Sequence, residues 1–167
     1  IAPLMLAGGV DALTRICFMG FNALKLLDPD PCRPFDRDRR GMSLGEGAAF
    51  VVLEDWEHAR GRGARPYAEL LSSGLSTDAF HVTSPHPGAD GVIRAITDAL
   101  ARAGLPAGDV GYVNAHGTGT AQNDRTEALA LAKVFGTAGL LMSANKSLIG
   151  HAMAAAGALE AVATVLT

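Results

Sequence analysis

The segment spanning residues 149–166 constrains the fold most. It is apolar almost throughout, and only His151 and Glu160 carry titratable groups. At about 18 residues it reaches the length at which a membrane span must be considered. A span is rejected, because the run is built on Ala and Gly, carries both titratable groups and has no aromatic belt. A helix apolar on every side belongs inside a larger body of protein. The ends of the sequence agree. Residues 3–9 read as a buried strand entering a glycine turn, and residues 161–167 read as helix with no Gly cap and no basic last turn. Both read as cuts through secondary structure, so the expectation is a piece of a longer chain.

Composition narrows the function classes. Of 167 residues, 49% are apolar and 19% charged, which excludes a disordered tail. The formal charge of −3, from 14 Lys and Arg against 17 Asp and Glu, lacks the basic excess of a nucleic-acid binder. Aromatics are scarce and Gly and Ala abundant, which favours close helix–strand packing. Cys17 and Cys32 cannot form a disulfide framework and lack zinc-ligand spacing, so a reducing compartment and no metal are expected.

Hydrophobic periodicity predicts strands at residues 3–7, 48–53, 67–74, 110–114 and 140–143. Helices are predicted at 18–27, 54–62, 90–103, 122–135 and from near Gly150. Gly104 and Gly136 are the expected C-caps of two of them. Strands and helices alternate from residue 48 onward, which makes α/β layering the expected class.

Two predicted strands run into loops that could carry chemistry: Asn114-Ala115-His116-Gly117-Thr118-Gly119-Thr120 and Asn145-Lys146-Ser147-Leu148-Ile149-Gly150-His151. Each places a histidine past the carboxyl end of a strand, the edge where open α/β sheets bind ligands. His151 is expected at a helix start, where the dipole disfavours an imidazolium and a neutral ring can donate to an oxyanion. Lys146, among small and apolar residues, calls for a carboxylate partner, and Glu127 is a candidate. Taken singly, each histidine reads first as a hydrogen-bonded structural residue, and a glycine-threonine loop is a common turn.

The remaining residues have plainer readings. His58 reads as a surface residue, and His81 and His86 as loop polarity. Neither cysteine is expected where a strand feeds a helix N-terminus, the setting that activates a thiol. The four Arg and two Asp of residues 33–40 read as a salt-bridged surface loop, or more sharply as a docking patch for an acidic partner.

The two histidine loops, with Lys146 between them, resemble the histidine motifs of β-ketoacyl-acyl carrier protein synthases, the condensing enzymes of fatty acid and polyketide synthesis. Leu6-Ala7-Gly8-Gly9, Arg33-Pro34-Phe35-Asp36, Leu44-Gly45-Glu46-Gly47-Ala48 and Asp78-Ala79-Phe80-His81-Val82-Thr83-Ser84-Pro85 extend the likeness over essentially the whole chain. The resemblance implies a thiolase-like layered αβαβα fold in a cytoplasmic homodimer. Residues 1–47 would close the first half and its connection, and residues 48–167 would form most of the second.

It also implies a decarboxylative Claisen condensation of malonyl-carrier protein with an acyl thioester. There would be no cofactor beyond the carrier's phosphopantetheine arm, and no nucleic-acid or membrane partner. His116 and His151 would donate to the malonyl thioester carbonyl, and Lys146, paired with Glu127, would organise the site's charge. Thr118, Thr120 and Thr83 would hold the pantetheine arm, Phe21 would lie near the acyl pocket, and Lys25 would meet the acyl carrier protein.

Two family features are missing. The nucleophilic cysteine would precede Ile1, and the glycine-rich loop of the acylation oxyanion hole would follow Thr167. The expected reading is a condensing acyltransferase whose isolated chain is inactive. The alternative is a non-catalytic partner subunit of the chain-length-factor type, although such subunits tend to lose the histidines kept here.

Overall fold

The computed structural model describes residues 2–137 and 139–167. Its first unit is an antiparallel pair, β1 (Leu4–Asp11) and β2 (Gly47–Glu54), in register from Leu4 opposite Glu54 to Asp11 opposite Gly47. The strand expected at 3–7 therefore runs on through Gly8 and Gly9, which make no turn. The reason lies in the last helix, α6 (Met153–Leu166), which packs across both strands. A Cβ on Gly9 would fall 2.1 Å from the Ala154 carbonyl oxygen, so only glycine lets helix and strand approach this closely. Ala152, Ala155 and Ala156 are buried at the same contact.

Between the paired strands, α1 (Arg15–Ala23) begins three residues before the expected 18–27 and ends four before. Thr14 caps it, its hydroxyl accepting from the Cys17 amide at 3.2 Å. Helix α2 (Trp56–Gly61) follows β2 and is capped by Asp55. The strand expected at 67–74 is absent, since those residues pair with no strand among the described ones. They run extended along α3 (Asp90–Ala103), with the Ser72 hydroxyl donating to the Ala99 carbonyl at 2.6 Å. Tyr67, Leu70 and Leu71 face outward, so the apolar pattern that suggested a strand has no sheet to join here.

The second unit places β3 (Tyr112–Asn114) parallel to β4 (Leu141–Ser143). Helix α4 (Ala121–Phe135) connects them and packs on α3, and the two match the helices expected at 122–135 and 90–103. Instead of one helix from Gly150, the chain makes a single turn, α5 (Lys146–Ile149), and restarts at Met153. No helix among the described residues is long and apolar enough to cross a membrane.

Candidate active site

Parallel pairing of β3 and β4 brings both histidine loops out at one sheet edge, and the Ala115 amide bonds the Ser143 carbonyl at 2.8 Å. The His116 and His151 rings meet there with centroids 5.2 Å apart and planes at 85°. His151 is half-buried, and His116 is more exposed.

Lys146 is 1% exposed and spans the site. Its ammonium donates to the His116 carbonyl oxygen at 2.6 Å, reaches His116 Nδ1 at 3.2 Å and pairs with Glu160 Oε1. The expected pairing with Glu127 is not what forms. The Glu127 carboxylate accepts the backbone amides of His116 at 2.6 Å and Gly117 at 2.8 Å, and so shapes the loop instead. Glu160 was legible as the one charge within the α6 sequence, a position that a buried cation explains.

An ammonium has only protons to give, so His116 Nδ1 is an acceptor and its proton sits on Nε2. His151 reaches the same tautomer by another route, because its Nδ1 accepts the Met153 amide at 3.2 Å. Burial, then the Lys146 charge, pushes the His116 pKa below the ordinary imidazole value, against the opposing pull of nearby carboxylates. Burial, Lys146 and His116 together push His151 down to about 4. The sequence placed His151 at a helix start and credited the dipole with keeping it neutral. In the fold it stands between α5 and α6, and burial is the first cause.

Thr118 is buried, and its hydroxyl lies 2.8 Å from that of Thr120. Between them Gly119 has φ +81°, and a Cβ there would fall 2.4 Å from the Gly41 carbonyl oxygen. Its amide is held by Asp124 Oδ1 at 3.2 Å. Thr83 sits in the exposed loop beyond α2, its amide bonded to His81 Nδ1 at 3.2 Å. Phe21 is half-buried on α1, and Lys25 is exposed just past it in the left-handed region at φ 55°. None of these three contacts His116 or His151 through a hydrogen bond or ring pair among the described residues.

The arginine-rich loop is the salt-bridged surface loop expected of residues 33–40. Arg39 and Arg40 are turned onto the chain's own carboxylates: Arg39 Nε lies 3.3 Å from Asp124, and Arg40 pairs with Asp28 at 3.0 Å and with Asp30. The same segment grips both histidine loops. The Phe35 amide bonds Asp124 at 2.7 Å, and the Cys32 thiol donates to the Lys146 carbonyl at 3.0 Å. The His151 amide donates to the Ser43 carbonyl at 2.8 Å, and the His151 carbonyl accepts from Gly45 at 3.1 Å. Cys17 also departs from expectation: it lies in the first turn of α1, directly after β1, rather than away from any strand-to-helix junction. His58 is exposed beside Glu54, as read, and His86 packs its ring on Phe80.

The beta-ketoacyl synthase N-terminal domain matches residues 2–59, and the C-terminal domain of the same enzymes matches residues 67–167. The chain belongs to the β-ketoacyl synthase family. It is 48% identical to nodulation protein E of Rhizobium sp. (strain N33), over 99% of this chain and 41% of that protein. It is 46% identical to 3-oxoacyl-[acyl-carrier-protein] synthase 2 of Rhizobium meliloti (strain 1021), with the same coverage of each chain. Among solved structures, the ishigamide ketosynthase/chain length factor superposes with TM-score 0.93 at 46% identity, over 99% of this chain and 40% of that one. A type II polyketide synthase acyl-carrier protein in complex with its ketosynthase bound to the hexaketide gives TM-score 0.95 at 37% identity, over 99% and 43%. The fold is therefore that of the thiolase-like ketosynthases. The chain spans about two fifths of the length of these relatives.

Proposed function

We propose that this chain supplies the decarboxylation half of a β-ketoacyl-acyl carrier protein synthase site. The observation that carries the reading is the pair of adjacent neutral imidazoles. Each has Nδ1 occupied by a donor, which leaves an Nε2–H to give. Two such donors on a thioester carbonyl oxygen form an oxyanion hole. The C2–carboxylate bond of malonyl thioester breaks, CO2 leaves, and the electron pair passes into the enolate held by both rings. C2 then attacks an acyl thioester carbon and expels its thiolate. Thr118 and Thr120, with Thr83 further out, hold the pantetheine arm, and Lys25 faces the carrier protein. A carrier-protein complex of a structural relative supports that partner. Retention of both histidines favours the enzyme over the non-catalytic partner subunit.

The test is a graft. Residues 2–167 replace the matching segment of the Rhizobium meliloti synthase, a relative 46% identical. The graft is expected to decarboxylate malonyl-carrier protein and to condense. A folded graft inactive in both assays contradicts the proposal. The isolated chain is expected to make no β-ketoacyl product. Cys32 is 2% exposed with its thiol committed to the Lys146 carbonyl, and Cys17 lies on α1. Turnover of acyl and malonyl thioesters by the purified chain would refute this.

The pH dependence follows from the lowered histidine values. Both rings bind their proton more weakly folded than unfolded, so their contribution to stability is complete above about pH 6.5 and is lost at lower pH, for His151 as pH falls through about 4. Decarboxylation by the graft is expected to hold level as pH falls through the ordinary histidine value of about 6.5 and to decline only at lower pH. An acid limb centred near the ordinary histidine value of about 6.5 would contradict the neutral-pair account.

A further inference from the structure

Resting on the reading that Thr118 and Thr120 hold the pantetheine arm, we infer that Arg39 is a positioning residue for that arm. It acts through Asp124 and is separate from the histidine chemistry. The Arg39 side chain is 19% exposed, and its guanidinium joins its own loop to the first turn of α4 through three contacts. Nη1 donates to the Asp36 carbonyl at 2.8 Å, Nη2 donates to the Ala121 carbonyl at 3.1 Å, and Nε lies 3.3 Å from Asp124 Oδ2. Asp124 is 1% exposed, and its other oxygen holds the Gly119 amide between the two threonines. Ala121 is the residue after Thr120 and opens α4. One planar cation therefore fixes the threonine turn from both sides, by a charge on its carboxylate anchor and by a bond to the first carbonyl past it.

The histidines are held by other groups. The His116 amide is on Glu127, the His151 amide is on the Ser43 carbonyl, and both rings are set by Lys146 or Met153. Loss of Arg39 should therefore loosen the arm's grip while leaving the oxyanion donors in place. A lysine replaces it poorly, because the three contacts leave three separate nitrogens of a planar fork, whereas the donors of an ammonium all leave one atom.

The experiment measures malonyl-carrier-protein decarboxylation by the graft. Arg39→Ala is expected to raise KM about tenfold, with kcat within about twofold of the unsubstituted graft. Arg39→Lys is expected to recover less than half of that loss, while millimolar guanidinium lowers the KM of Arg39→Ala and ammonium does not. Thr118→Ala with Thr120→Ala should raise KM similarly. A threonine variant that raises KM beside an Arg39→Ala that does not would overturn the inference and leave the arm-binding reading standing. A threonine variant with unchanged KM would overturn the reading itself. Equal falls in kcat and kcat/KM for Arg39→Ala, or full recovery by Arg39→Lys, would show a general structural role and overturn the inference.

Discussion

Replacing His151 by Ala in the graft is expected to lower malonyl decarboxylation by about 10²–10³-fold, the usual cost of one oxyanion-hole donor. His116→Ala should cost a similar amount, and the double variant less than the product of the two, since both donors serve one oxygen. The loss should sit in kcat, because the bond strengthens as charge develops on the thioester oxygen. His151→Gln should recover part of it, as its amide N–H can reach the place of Nε2–H without offering a base. Unchanged decarboxylation in His151→Ala would remove this residue from the reaction. A His151→Gln as impaired as His151→Ala would argue for proton transfer in place of hydrogen-bond donation.

Lys146→Met is expected to destabilise the chain by about 3 kcal/mol, read as a fall in Tm of ~6–12 °C. Glu160 faces Lys146 with a carboxylate 16% exposed, and removing the cation leaves that charge uncompensated in low dielectric. Taking out both charges, Lys146→Met with Glu160→Leu, should return most of the stability, because an ion pair desolvated on both sides yields little net gain. The same single variant should raise the pKa of both histidines, since the ammonium is a cause of each depression. Thermal melts and histidine titrations of the three proteins check both statements. A Lys146→Met chain that melts where the parent does would show that the pair is not load-sharing in the fold.

Much of the architecture was legible because it is local. The 90–103 helix, its Gly104 cap and the 122–135 helix follow from periodicity within a few turns. The pairing of the two histidine loops followed from placing both at strand ends, a topological rule that needs no coordinates. What failed depended on contacts distant in sequence. Gly8-Gly9 looked like a turn because the helix pressing on Gly9 lies nearly the whole chain away. Residues 67–74 carry strand chemistry but find no partner strand in the described fold. Glu127 was chosen for Lys146 because it is an acid near the first motif. Glu160, one lone charge in an apolar helix, is the residue that folding delivers. The arginine-rich segment was rightly read as a salt-bridged surface loop, but the partners of Arg39, Asp124 and the Ala121 carbonyl, lie more than 80 residues on and were not named.

The neutral imidazole pair is tested most directly by ¹⁵N NMR of the histidine rings in the chain itself. The expected spectrum at pH 7 shows His116 and His151 uncharged, each protonated at Nε2, with His151 taking up its second proton only near pH 4. An imidazolium at either position at pH 7, or a proton on Nδ1, would contradict the account.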